Sequence, residues 1–247
     1  MGTGRSGLAK HNGASKNMLP GVKDISDKID LDKYKVFRDT ASGTHEYHGD
    51  GSDVVDFFQH QSNYDEIINS MTYDEKQQFV MWARGMFMGS NKAEYKDLMS
   101  REQQMLKTYD KILDKSELNE GIVVRRLASF SLVNNGSRDV PSKEALKNME
   151  GQLVDVKMPL SASAASQGLS IGATGKNVEY VIHIPAGSKG AGMWIGDRRI
   201  NNWGARQREF MVNRDVIFRQ GKTVFNHDRG IYEVELIYVG RTKHRYK

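Results

Sequence analysis

The chain has 247 residues, 38% of them hydrophobic and 27% charged, with 24 Gly, 4 Pro, no Cys and a formal charge of +5. That is enough apolar residue to bury a core, and it excludes collagen-like, disordered and disulfide-stapled classes, along with thiolate zinc sites and cysteine nucleophiles. The charge is uneven: Arg5, Lys10, Lys16 and Lys23 lie in residues 1–23 with no acid, and Arg241, Lys243, Arg245 and Lys247 lie in the last seven, so +5 less +4 at each end leaves −3 for residues 24–240.

Residues 1–50 are rich in Gly, Ser, Lys and Asp, with weak periodicity, and read as an extended or flexible arm before a domain over 51–240. The first residues hold no continuous apolar core, which argues against a Sec-type signal peptide, and no run approaches the ~18 apolar residues of a membrane-spanning helix. A cytoplasmic protein with no membrane partner is the expectation. The two basic ends, the second forming a tail over 241–247, offer a contact for nucleic acid.

A helical part is expected over 51–118. Tyr64, Ile67, Ile68 and Met71 follow the spacing of one buried stripe. Thr72 and Glu75 form a capping-box pair that opens a second helix, burying Phe79, Trp82, Ala83, Met86 and Phe87 and ending at Gly89. A third helix carries Leu98, Met105, Leu106, Tyr109, Ile112 and Leu113.

Beyond Leu118 the period changes, and a β-rich core is expected over 119–240. Ile122–Val124 is a short strand, Ser142 caps a brief helix to Met149, and Val178–Ile184 alternates. Strands follow at Phe210–Val212, Val216–Phe218, Thr223–Phe225 and Tyr232–Val239. Helices first and strands afterwards predict an α+β fold rather than a doubly wound sheet. No G-x-G-x-x-G follows a strand and no P-loop is present. His45 and His48 stand near one another, but the other histidines are scattered, and no metal site is expected. Ser161 lacks the G-x-S-x-G elbow of a serine hydrolase.

Three polar sites interrupt the β segments: Arg125-Arg126, Ser161-Ala162-Ser163 and Gln207-Arg208-Glu209. Their order and setting resemble the Arg–Ser–Glu class of mono-ADP-ribosyltransferases, shared by clostridial actin- and Rho-modifying exoenzymes and by phage proteins, some of them head-associated. The family's V-Y-R-G strand is similar to LNEGIVVRRL over 118–127, its F-x-S-T-S to MPLSAS over 158–163, its hydrophobic-x-I-P-x-G-x-K-G-A strand to IHIPAGSKGA over 182–191, and its final Glu/Gln-x-Glu to Gln207-x-Glu209. The resemblance covers roughly residues 60–240.

The resemblance implies helices packed beside two crossed antiparallel sheets, with NAD as substrate in the cleft and no metal. It implies Glu209 as the catalytic carboxylate, with Ser161 bridging it to the ribose and Gln207 orienting the acceptor. Cofactor binding would fall to Arg126, Ser161, Ser163 and Leu127. The family's Tyr before the Arg is Arg125 here, so Arg125 also stands as the phosphate ligand, with alignment favouring Arg126. The acceptor is expected to be a macromolecule, a protein modified at a residue other than arginine, recognised by Trp203 and Gln207 in the loop before Glu209. If phage-encoded, the chain would act in the host cytoplasm or the virion. The competing class is a non-catalytic virion protein that uses the domain as structural mass.

Overall fold

The computed structural model describes residues 63–83, 95–128, 143–157, 159–163, 169–170, 178–195, 199–200 and 209–242, together with the backbone of three short strands nearer the N-terminus. Those strands are β1 (Val22–Lys23), β2 (Lys35–Asp39) and β3 (Thr44–His48). The stretch expected to be an arm therefore contains an antiparallel β2–β3 pair, and β1 pairs in parallel with β4 (Gly121–Ala128) at Gly121 and Ile122.

The helices fall where periodicity places them. Helix α1 (Tyr64–Ser70) buries Tyr64, Ile67 and Ile68. Helix α2 (Tyr73–Ala83) opens with the expected reciprocal cap: Thr72 N–H donates to Glu75 Oε2 at 3.0 Å, and Glu75 N–H to Thr72 Oγ1 at 3.2 Å. Met86, Phe87 and Gly89 lie outside the described residues, as does Ser142 before α4 (Lys143–Asn148). Helix α3 (Ser100–Leu113) starts later than its apolar pattern suggests: Leu98 is buried ahead of the helix, and Glu102 caps it by accepting from Met99 N–H at 2.9 Å.

The Lys111 ammonium, at 2.9 Å, and the Thr72 amide hold the Glu75 carboxyl below its ordinary range. A depressed folded value means the stabilisation is complete above the ordinary carboxylate range and fades as pH falls through that range. Glu75→Gln should therefore lower stability by about 0.3–1 kcal/mol at neutral pH. Denaturant melts along a pH series should show the gap to wild type closing on acidification. A gap that persists at low pH would contradict the assignment.

The remaining strands are β5 (Leu153–Val156), β6 (Leu160–Ser163), β7 (Leu169–Ser170), β8 (Val178–Ile184), β9 (Gly192–Trp194), β10 (Glu209–Val212), β11 (Val216–Asn226) and β12 (Ile231–Arg241). They join in the order β5-β11-β12-β8-β4-β6-β10-β9, with β7 also parallel on β4. Pairing is mostly antiparallel, but β12 and β8 run parallel, so the β layer is mixed. The two halves of the path meet at a single pair, Arg125 with Ser163, which leaves β6–β10–β9 free to diverge from β4–β8–β12–β11–β5. Gly192 lets β9 close on β10: a Cβ there would lie 2.4 Å from the Met211 carbonyl oxygen and from the Phe210 ring.

Alternation along β8 does not mark one wet face, because all seven of its residues are buried. The strand lies between β4 and β12, and its polar residues are paired. Glu179 accepts two hydrogen bonds from Arg229, at 2.7 and 2.9 Å, and His183 Nε2 lies 3.3 Å from Glu235. The two short strands expected at 216–218 and 223–225 are one strand with a register shift between Gln220 and Thr223. Gln220 accounts for the polar interruption: it is buried and donates to the Leu146 carbonyl of α4 at 2.6 Å.

Candidate active site

Three neighbouring strands carry the polar residues that the sequence separates by dozens of positions. Across β6 and β10, Ser163 faces Glu209 and Ser161 faces Met211. Ser161 and Glu209 are therefore diagonal neighbours on one face, within reach of a long side chain. The Ser161 hydroxyl donates to Glu209 Oε1 in a short hydrogen bond. Both residues are buried, at 6% and 7% exposure, so the carboxylate is oriented and largely removed from water.

Arginines 125 and 126 point to opposite faces of β4, as strand alternation requires. Arg125 is fully buried on the face of Val123 and Val181, opposite Ser163 in the ladder. Arg126 lies on the face of Ile122 and Val124, and its Nη1 donates to the Ser161 carbonyl at 2.8 Å. Burial pushes the Arg126 guanidinium below its ordinary value, against the nearby Glu209 carboxylate and Tyr180 phenol. A guanidinium remains cationic at any physiological pH, so the site pairs a fixed cation with a buried carboxylate. Arg126 spends one donor on Ser161, and its Nε has no partner among the described residues. Among the described residues the Nε–H is therefore a donor that an anion such as a phosphate could take.

The structure brings Arg126, Ser161 and Glu209 together. Leu127 sits beside them, half-buried, between Glu179 of β8 and Ser170 of β7. Ser163 occupies the rung shared by Arg125 and Glu209. Gln207 and Trp203 lie outside the described residues. The start of their loop is fixed to α1, where Arg199 Nη2 donates to Asp65 Oδ1 at 2.8 Å and Ile200 is buried. Two tyrosines near the site carry no sequence signal of their own. Tyr180 faces Arg126 directly across the β4–β8 ladder, and burial, with smaller contributions from Asp110 and Glu209, holds the Tyr109 phenol of α3 above its ordinary value. Both sit in apolar stripes that signal only core. Among the described residues no group of His, Asp or Glu could hold a metal ion.

No family model matches the chain, and no curated protein matches it. Solved structures do. C3stau2 from S. aureus, determined with NAD, is similar with a TM-score of 0.59 and 14% identity, over 85% of this chain and 100% of that one. Plx2a, an ADP-ribosyltransferase toxin from Paenibacillus larvae, gives 0.57 at 17% identity over 77% of this chain and 97% of its own. The Clostridium limosum C3 exoenzyme gives 0.55 at 12% identity over 75% and 94%. The α+β fold expected from the sequence is the fold these proteins share.

Proposed function

We propose that this chain is an NAD-dependent mono-ADP-ribosyltransferase acting on a macromolecular acceptor. The observation that carries the reading is the chain of contacts Arg126–Ser161–Glu209, on a fold it shares with a protein solved with NAD. Transfer breaks the bond between nicotinamide and ribose. Nicotinamide leaves with the bonding electrons, the acceptor's nucleophilic atom bonds to the same ribose carbon, and the acceptor loses a proton. Positive charge builds on the ribose in between, and the Glu209 carboxylate, buried and held by Ser161, stabilises it. Arg126 would hold the substrate's phosphates with its unspent donors, fixing the reacting carbon against the carboxylate.

Calorimetry and thermal shift at millimolar NAD test the first step, and mass spectrometry of a lysate incubated with labelled NAD tests the transfer. No heat, no shift and no labelled product would sink the reading.

The acceptor is a protein residue other than arginine on this reading, and the compartment is the cytoplasm. Gln207 supports the first point: a neutral amide both donates and accepts hydrogen bonds, which suits an amide acceptor better than a cation. Agmatine, a free arginine mimic, should not be modified by the wild type and should become a substrate in Gln207→Glu. Robust ADP-ribosyl-agmatine formation by the wild type would refute the assignment.

A further inference from the structure

On the rungs that join β4, β8 and β12, Arg126 is the only charge on its face of the sheet. Strand alternation puts Val124 beside it on β4, and the ladder to β8 sets Ile182 opposite Val124 and Tyr180 opposite Arg126. The next ladder carries the same face on to Leu236 and Val234 of β12. Val124, Ile182, Val234 and Leu236 are buried and apolar, so none of them offers a guanidinium more than bulk. Tyr180 differs in kind: it is 1% exposed, it presents a large aromatic ring, and it occupies the arginine's own rung.

Residues directly opposite in an antiparallel pair hold their Cβ atoms about 4.5–5.5 Å apart, so long side chains on one rung lie within reach of each other. A guanidinium is planar and gains most from an aromatic face where water is scarce. Arg126 meets that condition: it is half-buried, and burial is the main influence pulling its guanidinium below the ordinary value. Its Nη1 is fixed on the Ser161 carbonyl at 2.8 Å. One hydrogen bond pins one atom and leaves the plane of the fork free to turn about it. A ring against that plane removes the freedom.

We propose that Tyr180 is a positioning residue for Arg126, whose ring supports the face of the guanidinium and aims the Nε–H at the phosphates of the substrate. The inference rests on reading the site as an NAD site. It adds a residue from β8, a strand that carries none of Arg126, Ser161 and Glu209, and it assigns the role to the ring rather than to the hydroxyl. Phosphates are gripped alike before and during cleavage of the ribose bond, so the effect falls on KM for NAD more than on kcat.

Tyr180→Leu and Tyr180→Phe in the full chain test it, with melting temperature, kcat and KM for NAD hydrolysis measured beside wild type. Tyr180→Leu should raise KM about fivefold or more, as for loss of a cation–ring contact partly shielded from water, with a smaller change in kcat. Tyr180→Phe, which keeps the ring, should bring KM back to within about twofold of wild type. Should Tyr180→Leu fail to fold, Tyr180→Met makes the same comparison with an unbranched chain that fills irregular space. The same pair of variants is then measured on Arg126→Lys, which keeps the charge and loses the planar fork. There the step from tyrosine to leucine should change KM less than twofold, because residues that act as a unit are not additive. A wild-type KM in Tyr180→Leu, an equal loss in Tyr180→Phe, or a full effect on Arg126→Lys would each overturn the proposal while the NAD reading stands. Wild type that neither binds NAD nor releases nicotinamide would overturn both together.

Discussion

Glu209→Gln is expected to reduce both NAD hydrolysis and transfer by ~10²-fold or more while leaving the fold intact. The substitution keeps the shape and an oxygen that can accept from Ser161, so the contact between β6 and β10 survives. It removes the negative charge that the ribose meets in the transition state. That charge acts at full strength because the carboxylate is 7% exposed and water screens it little. Nicotinamide release and a melting curve on the same preparation provide the check. Near-wild-type turnover in a folded Glu209→Gln protein would remove Glu209 from the chemistry. Should the amide variant fail to fold, Glu209→Ala makes the same comparison without a buried polar group.

Arg214→Ala should be the most damaging single change to stability. Arg214 bonds both oxygens of Asp110, which is 1% exposed, and its Nη1 lies 3.1 Å from the buried Asp215. Asp215 sits in the turn between β10 and β11 with φ at 57°, a left-handed conformation that aspartate tolerates better than most residues. Removing the guanidinium leaves two buried carboxylates without this cation, at a cost of about 3–5 kcal/mol. Thermal unfolding should drop by roughly 10 °C, given ~2–4 °C per kcal/mol for a chain of this size. Adding Asp110→Asn should recover part of the loss, since the two residues share one interaction. A melting temperature near wild type would show that α3 is held to the β10–β11 turn without this ion pair.

The features legible in the sequence are those set by neighbours along the chain. The cap at Thr72 and Glu75, the stripe Tyr64–Ile67–Ile68 and the strand at Val178–Ile184 depend on spacings of a few residues, and each forms where its spacing places it. The bulged strand β11 looks like two pieces in the sequence because a polar interruption resembles a turn unless its long-range partner is known, here the Leu146 carbonyl. The Arg, Ser and Glu of the site stand out by their order and by resemblance, not by periodicity.

Residue type, order and face follow from the order of amino acids alone: Arg125 and Arg126 must point to opposite sides of a strand, and Ser161 and Glu209 each lie at the edge of a β segment. Which arginine reaches Ser161 follows from packing, because it depends on β6 leaving β4 at the single Arg125–Ser163 rung. Packing likewise sets Tyr180 against Arg126. Local propensity acts over a helical turn or a strand pleat, whereas an active site is made where segments tens of residues apart are pressed together by a shared core.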